Sequence, residues 1–251
     1  MLLGPDIMSG YAERMYAAYS RVRPRHIVPT RAEHLSGSRV HVFRKDFAPF
    51  LPTRKDAAIL DLGCGYGEFL HFLQKRGYSE TTGIDLSAEQ VEIARDLGVR
   101  NVHCREGIDF LRGSVGQFDF ISAIDVLEHV PKDSVFPLLD LIYNALRPGG
   151  RFLCQVPNLA AFYTPLFYMD FSHETPFTAT SLKQALDLTH FANVRVFPMG
   201  PIAHGLISAT RLVLWKVIAA ALRGIQMVEG GSSDSLSSIF TAAIFAVGDK
   251  P

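Results

Sequence analysis

The stretch Ile59-Leu60-Asp61-Leu62-Gly63-Cys64-Gly65-Tyr66-Gly67-Glu68 decides the fold of this chain. It begins as a short apolar strand, turns through three alternate glycines and continues with apolar residues at helical spacing, namely Phe69, Leu70, Phe72 and Leu73. Alternate glycines let the backbone turn sharply and let a ligand contact the main chain, because no side chain stands between them. The pattern predicts a strand, a loop that binds a cofactor, and a helix.

The spacing of these glycines separates the loop from a common dinucleotide-binding pattern. That pattern, G-x-G-x-x-G, requires a glycine where this chain has Glu68. Asp61 lies just before the first glycine, and a second predicted strand, Thr81 to Ile84, ends in Asp85. An acidic side chain at that position can accept hydrogen bonds from both hydroxyls of a ribose. The two features predict a nucleoside-containing ligand and disfavour a nicotinamide-dependent oxidoreductase.

Predicted strands and helices alternate from Ala58 to Val156. The strands lie near residues 58–62, 81–85, 101–104, 118–123 and 151–156, and the helices near 67–76, 87–97 and 133–146. Alternation of this kind implies right-handed crossovers and a parallel sheet with helices on both faces. On such a sheet ligands bind at the carboxyl ends of the strands, where four acidic residues fall: Asp61, Asp85, Glu106 and Asp125.

The remaining residues complete the predicted sheet. A helix from Ser181 to Thr189, opened by Thr180, leads to a strand from Val194 to Phe197. A last strand, Ile239 to Val247, would pair antiparallel with it. The predicted fold class is therefore α/β, a Rossmann-like, seven-stranded and mostly parallel sheet with an antiparallel last strand.

Five sequence blocks, in order, resemble the class I S-adenosylmethionine-dependent methyltransferases. They are Asp61 to Glu68, Gly83 to Ser87, Arg105 to Leu111, Phe118 to Val130 and Leu146 to Gly150. The resemblance implies S-adenosyl-L-methionine as cofactor. It places the methionine moiety at the glycines, the ribose hydroxyls at Asp85 and the adenine amino group at Glu106. The implied cofactor-binding residues are Asp61, Gly63, Gly65, Gly67, Asp85, Leu86, Glu106, Gly107 and Asp125.

Composition narrows the class of protein further. The formal net charge is zero and the isoelectric point is near 7.1, which argues against nucleic acid as a partner. Cys64, Cys104 and Cys154 are far apart, as expected for small buried residues in a reducing compartment. The N-terminal residues lack the pattern of a signal peptide. We expect a cytoplasmic protein.

We expect one methyltransferase domain over residues 58–251, preceded by an accessory or lid segment over 1–57. Insertions at about 157–180 and 200–237 would bind the acceptor. Charged residues interrupt the apolar stretch Gly205 to Met227, so it is too short for a transmembrane span of roughly 20 residues. The stretch fits a packed lid, or a helix that joins two subunits of a homodimer. Ordinary core and peripheral membrane contact are the other interpretations.

Two histidines are candidates for the catalytic base. His129 follows the fourth strand, and His173 lies with Asp170 inside the aromatic segment after the fifth strand. Histidine titrates near neutral pH and can accept the proton of a hydroxyl group. Each histidine also has a purely structural interpretation as a residue that braces a loop. Asp170, His173 and Glu174 match no strong metal-ligand spacing, so no metal is expected.

The acceptor is expected to be a small molecule. The run from Val156 to Asn158, with Asp170 to Glu174 and Phe177 to Leu182, resembles bacterial methyltransferases of polysaccharide and glycan biosynthesis, which implies a sugar hydroxyl. The earlier blocks resemble the O-methyltransferases of ubiquinone biosynthesis. A methyltransferase that acts on a phenol or natural product, through oxygen or nitrogen, is the first alternative. A module that binds the cofactor without turnover is the second.

Overall fold

A computed structural model describes residues 28–31, 34–35, 37, 39–162, 166–231 and 234–251. The first 27 residues of the expected accessory or lid segment lie outside the described residues. The lid role of residues 1–57 therefore stays a prediction.

A seven-stranded sheet forms the centre of the domain. Its strands are β1 (Ile59–Leu62), β2 (Thr81–Asp85), β3 (Val102–Cys104), β4 (Phe118–Ile124), β5 (Leu146–Pro157), β6 (Ala192–Met199) and β7 (Ala243–Asp249). The strand order is β3-β2-β1-β4-β5-β7-β6. The first five strands pair in parallel, and β7 pairs antiparallel with both β5 and β6. The predicted fold class is confirmed.

Helices connect the strands. They are α1 (Arg39–Val42), α2 (Glu68–Lys75), α3 (Ala88–Asp96), α4 (Gly107–Arg112), α5 (Lys132–Ala145), α6 (Ala179–Asp187) and α7 (Leu206–Gly230). A π-helical turn, Phe43–Phe47, and a 3-10 turn, Ala48–Phe50, continue α1. Two more 3-10 turns, Leu127–His129 and Leu166–Met169, lie beside the site described below.

Two predicted boundaries were wrong, and one helix was missed. Helix α6 begins at Ala179 because the Thr178 side chain, not Thr180, accepts the hydrogen bond from Ser181 N in a capping box. Strand β7 begins at Ala243 rather than Ile239. The short helix α4 was absent from the prediction, since six residues carry little helical periodicity.

Helix α1 and the two turns after it pack on the sheet. Phe43 and Phe47 are fully buried and make edge contacts with Phe69 of α2, with ring centroids 5.1 and 5.9 Å apart. Edge-to-face pairs of this kind add to the free energy gained by burying aromatic surface. This packing places Arg39, at the start of α1, beside the carboxyl ends of the strands.

Helix α7 is largely exposed, which is the opposite of an ordinary core helix. Only Ser208 and Ala219 of its 25 residues are buried. Large apolar side chains on its surface include Leu206, Ile207, Val213, Val217 and Val228. The interpretation of Gly205 to Met227 as core is therefore wrong for this structure. Among the described residues, no helix is long and apolar enough to cross a membrane.

Candidate active site

A cavity of about 390 Å³ opens at the carboxyl ends of β1, β2 and β4. This position is the switch point of the sheet, where β1 has β2 on one side and β4 on the other, and it is where parallel α/β sheets bind ligands. Nine of the twelve predicted site residues line it: Asp61, Gly63, Gly65, Asp85, Leu86, Glu106, Gly107, Asp125 and His129. Gly67, Asp170 and His173 stand outside the lining.

The glycine loop after β1 has a conformation that side chains would disturb. Gly63 has φ of +69° and Gly65 has φ of +53°, which is the left-handed region that favours glycine. A Cβ on Gly63 would overlap the Val126 side chain, and one on Gly65 would lie 2.9 Å from Gln90 Oε1. The loop backbone therefore forms a wall of the cavity at close range.

Asp85 holds this loop against the end of β2. Its Oδ2 accepts a hydrogen bond from Gly65 N, and its Oδ1 accepts one from Ser87 N, each at 2.8 Å. A carboxylate oxygen has more than one lone-pair direction, so these bonds leave acceptor capacity toward the cavity. Asp85 thus braces the glycine loop at Gly65.

Asp61 is a buried carboxyl group in the cavity wall, with 2% of its surface exposed. Its Oδ1 accepts a hydrogen bond from Ser122 Oγ at 2.7 Å. Burial raises the pKa of Asp61 to about 7, and the neighbouring charge of Asp85 also raises it, while Ser122 and Arg39 act in the opposite direction. A cation bound in the cavity would stabilise the ionised form.

Arg39 is a cavity residue that the sequence reasoning missed. Its guanidinium group lies 3.3 Å from Glu68 and 3.3 Å from Asp125. Asp125 has φ of +57°, an uncommon conformation for a residue other than glycine, and it accepts a hydrogen bond from Gln155 Nε2. No motif marks Arg39, because only the packing of α1 brings it to the end of β4.

The Glu106 side chain caps helix α4 at the outer edge of the cavity. Its Oε2 accepts a hydrogen bond from Asp109 N at 2.7 Å. Gly107, the first helical residue, stands against β1, since a Cβ there would lie 2.8 Å from Leu62 Cδ1. Leu86, at the end of β2, is exposed. All three residues line the cavity.

His129 lines the cavity and is linked to the segment after β5. Ser172 Oγ donates a hydrogen bond to Asp170 Oδ1 at 2.6 Å and lies 2.9 Å from His129 Nδ1. Since the hydroxyl proton is used toward Asp170, the network assigns the ring proton of His129 to Nδ1. The basic lone pair of the neutral ring is therefore on Nε2.

The Asp170 carboxylate stabilises this network. Burial raises the pKa of Asp170, but the hydrogen bonds from Ser172 and the nearby His129 and His173 outweigh burial, so its pKa lies below the usual value. Asp170 thus stays ionised near neutral pH and acts on His129 through Ser172, rather than from the cavity wall.

His173 packs against His129 instead of lining the cavity. The two ring centroids are 4.6 Å apart with an interplanar angle of 66°. His173 Nδ1 lies 2.7 Å from the Phe167 carbonyl oxygen, which can only accept, so the proton is on Nδ1 and the lone pair on Nε2. The buried Glu128 completes this group, because one ligand-type atom from each of the three residues lies within 4.8 Å of the others.

The cysteines do not supply a nucleophile to the cavity. Burial, together with the charges of Asp61 and Asp85, raises the pKa of Cys64, the one cysteine that lines it. Burial raises the pKa of Cys154 to about 12. Cys104 is exposed, so the expectation that all three cysteines are buried was wrong.

The residues of the cavity fit a nucleoside that carries a positive charge. The loop at Gly63 and Gly65 admits a ligand against the main chain, Asp85 stands where a ribose would be held, and Asp61 offers a buried carboxyl group to a cation. The fold and this site together define the class of S-adenosylmethionine-dependent methyltransferases.

The chain belongs to the family described as methyltransferase domain, which matches residues 33–196. Its cofactor is S-adenosylmethionine. This confirms the predicted class and cofactor.

Curated relatives carry a more specific name. The chain is 34% identical over 113 residues to a ubiquinone biosynthesis O-methyltransferase of Xylella fastidiosa, which covers 42% of this chain and 45% of the relative. It is 27% identical over 159 residues to a ubiquinone biosynthesis O-methyltransferase of Xanthomonas oryzae. This alignment covers 61% of this chain and 60% of that relative. The chain thus spans about half the length of these curated relatives.

Solved structures share the fold. A S-adenosylmethionine-dependent methyltransferase from Archaeoglobus fulgidus matches with a TM-score of 0.64 at 21% identity, over 87% of this chain and 97% of that one. A Haemonchus contortus phosphoethanolamine N-methyltransferase, in complex with phosphomonomethylethanolamine and S-adenosylhomocysteine, matches with a TM-score of 0.58 at 16% identity. The match covers 85% of this chain and 52% of that one. At these identities the likeness concerns the fold alone.

Proposed function

We propose that this domain transfers the methyl group of S-adenosylmethionine to a hydroxyl group of a small molecule. The observation that carries the proposal is the position of His129, whose ring lines the cavity while its Nδ1 is hydrogen-bonded to Ser172. A hydroxyl acceptor must lose a proton, and a neutral imidazole can take it. The O-methyltransferase name of the curated relatives agrees with this choice.

The cofactor half of the cavity would use the residues on the strands. The Gly63 and Gly65 backbone would face the methionine part, Asp85 would accept hydrogen bonds from the ribose hydroxyls, and Glu106 would lie near the adenine. Gly67, outside the lining, would act by shaping the loop. When bound, S-adenosylmethionine supplies an electrophilic methyl group on a positively charged sulfur.

The acceptor half would use His129. We propose His129 as the catalytic base, with the acceptor proton moving to Nε2 while Nδ1 stays hydrogen-bonded to Ser172. Asp170 is then a positioning residue, because it contacts Ser172 and not the cavity. His173, which the sequence also offered as a base, would act by packing on His129.

The acceptor segment is proposed as residues 157–180, because Ser172 and Glu174 line the cavity. The described part of residues 200–237 contributes no side chain to the lining of this cavity, so we do not propose an acceptor-binding role for it. The acceptor segment is rich in aromatic residues, and on this composition we propose an aromatic hydroxyl rather than a sugar, although Phe162, Tyr168 and Phe171 stand outside the cavity lining. The sugar or glycan acceptor, the homodimer and the cytoplasmic location stay predictions.

Methyl transfer from labelled S-adenosylmethionine to a panel of acceptors tests the proposal. The panel contains catechols, simple phenols, nucleotide sugars and primary amines at equal concentration. We expect label in the hydroxyl compounds, greatest in the aromatic ones, and none in the amines. Label in amines alone would overturn O-methylation. The protein could instead bind the cofactor tightly and transfer label to no class of acceptor. If its thermal transition is cooperative, so that it is folded, this result would favour a module that binds the cofactor without turnover.

A further inference from the structure

The side of helix α7 that faces away from the rest of the domain is a continuous apolar surface. On the inner side Ser208 and Ala219 are buried and Leu212, Trp215 and Leu222 are half-buried. Their spacing of three or four residues places all five on one side of the helix. The opposite side runs for about 37 Å at 1.5 Å per residue, and we call it the outer stripe. Its exposed members include Leu206, Val213, Leu214, Val217, Ile225 and Val228.

The charged residues of α7 all lie outside the outer stripe. At about 100° per residue they stand at the edges of the stripe or closer to the inner side. They are Arg211, Lys216, Arg223 and Glu229. Contact between water and apolar surface is unfavourable, and a large exposed apolar patch with a charged rim marks an interaction surface. The outer stripe therefore has the composition of an interface.

The charges at one edge of the outer stripe are complementary to a second copy of the same helix. Arg211 and Glu229 are 18 residues apart, which is about five full turns, so both lie at the same edge. Both residues are exposed, and within the described residues neither forms an ion pair. When two copies of α7 pack antiparallel around a twofold axis, these edges face each other. Arg211 then meets Glu229 of the partner subunit, and symmetry forms the pair twice.

The middle of the outer stripe has the small residues that a close helix crossing requires. The twofold axis that forms these two ion pairs passes the level of Ala220, halfway between the two charges. Ala221 and Gly224 lie close to this level on the stripe, and small side chains there allow an interaxial distance near 8 Å. Val217 then packs over Gly224 of the partner subunit, a position where a Cβ meets nothing within 4 Å in the single chain.

We propose that the outer stripe is the contact surface of a homodimer in which two copies of α7 pack antiparallel. A membrane surface fits the charges less well. Glu229, at the edge of the stripe, would face anionic headgroups, whereas Lys216 and Arg223 lie closer to the inner side of the helix. The pairing goes beyond the proposed methyl transfer and does not depend on it.

Sedimentation velocity of the full-length protein over a range of concentrations tests the contact. We expect the mass to rise from that of a monomer, 27.8 kDa, to twice that value. The dissociation constant should be on the order of 10 µM, because one helix face is a small interface. Val217→Glu puts a carboxylate in the centre of the stripe and should abolish the dimer up to about 200 µM. A wild type that stays monomeric at that concentration, or a dimer that survives Val217→Glu, overturns the proposal.

Lys216→Glu is the matched control, since it adds the same group at the neighbouring residue but outside the stripe. Its dissociation constant should stay within about twofold of wild type.

Exchange of the two edge charges tests the antiparallel register. Arg211→Glu and Glu229→Arg each place like charges opposite each other twice, so each should weaken the dimer by about tenfold. The double variant Arg211→Glu/Glu229→Arg restores opposite charges and should return the dissociation constant to within about threefold of wild type. No recovery in the double variant contradicts the antiparallel pairing.

Two further measurements separate the dimer from other states of α7. Trp215, the single tryptophan, lies on the inner side of the helix, so unchanged fluorescence in each variant shows that α7 keeps its place. Vesicles of phosphatidylcholine with and without phosphatidylglycerol test a membrane surface. A wild type that is monomeric in solution and floats with the anionic vesicles, but not after Lys216→Glu, overturns the dimer.

These measurements use no acceptor, so they are independent of the proposed function. Methyl transfer by a wild type that stays monomeric removes this inference alone. A dimer that transfers methyl to no acceptor removes the proposed function and leaves the contact surface.

Discussion

The two halves of the cavity that we propose, one for the cofactor and one for the acceptor, are built in different ways. The cofactor half is made of backbone at the ends of β1 and β2, with Asp85 hydrogen-bonded to the loop that it shapes. The acceptor half is made of side chains from two distant segments, joined where His129 meets Ser172 and His173. Changes on the cofactor side should therefore act on binding, whereas changes on the acceptor side should act on turnover.

The largest expected effect is that of Gly63→Ala on cofactor binding. The added Cβ would overlap Val126 in a left-handed backbone conformation, so the loop must move away from the cavity. We expect affinity for S-adenosylhomocysteine, measured by calorimetry, to fall by about 100-fold, or roughly 3 kcal/mol.

Gly116→Ala is the control for Gly63→Ala. Gly116 also has positive φ, +61°, but a Cβ there meets nothing within 4 Å. It should lower stability by about 1 kcal/mol through backbone strain and leave the affinity unchanged. Equal loss of affinity in both variants would contradict the role of the loop.

His129→Ala should have the largest effect on turnover, with cofactor binding unchanged. Without the imidazole, kcat for the best acceptor should fall by about 10² to 10⁴, because no positioned group takes the proton. The dissociation constant for S-adenosylhomocysteine should stay within about twofold. His103→Ala, an exposed histidine away from the cavity, should change neither quantity; a His129→Ala enzyme with normal kcat would exclude His129 from the chemistry.

Cofactor affinity should depend on pH because of the Asp61 carboxyl group. With its pKa near 7 in the free protein, Asp61 is mostly protonated at pH 6, and a bound cation favours the ionised form. Binding then releases a proton, so S-adenosylmethionine should bind up to about tenfold more tightly at pH 8 than at pH 6. In Asp61→Asn the roughly tenfold change in S-adenosylmethionine affinity between pH 6 and pH 8 should vanish. The same change in the variant as in wild type would contradict the role of Asp61.

The raised pKa of Asp61 should also make the stability of the ligand-free protein depend on pH. Because the folded pKa is raised from 3.8 to about 7, the folded state holds a proton that the unfolded state loses between those values. The contribution of Asp61 to stability is therefore lost as pH rises from about 4 to 7. At pH 8, Asp61→Asn should unfold at a higher temperature than wild type. Differential scanning calorimetry of the two proteins at this pH measures the difference.

Arg39→Ala should have the smallest effect. Its ion pairs with Glu68 and Asp125 are partly exposed, with 34% of the arginine side chain accessible, and such pairs contribute under about 1 kcal/mol. We expect about a twofold to fivefold loss of S-adenosylmethionine affinity at pH 7, since Arg39 also lowers the pKa of Asp61. Arg112→Ala, which breaks the exposed pair with Asp109, is the control and should have no effect.

The cofactor half could be predicted from sequence because its determinants are local. The glycine spacing specifies the loop, and Asp85 follows directly from the end of an apolar strand. The order of strands and helices then brings those ends together. Even there, Arg39 was missed, because no periodicity in α1 shows that Phe43 and Phe47 pack on Phe69 and so carry it to the cavity.

The acceptor half could be predicted only as a set of residue types. The sequence offered His129, His173 and Asp170 without their arrangement, since contacts between residues so far apart depend on how the segment after β5 folds back. Ser172, which links His129 to Asp170, carried no signal. Glu128 precedes His129 in the sequence, but its grouping with His173 is a property of tertiary packing.

The most direct test of the division between the two halves is calorimetric titration with S-adenosylhomocysteine of wild type, Asp85→Ala and His129→Ala, with NAD as the comparison ligand. The account predicts binding of S-adenosylhomocysteine and not NAD by wild type, a loss of about 30-fold or more in Asp85→Ala and no loss in His129→Ala. No binding by folded wild type, or full affinity in folded Asp85→Ala, would contradict it.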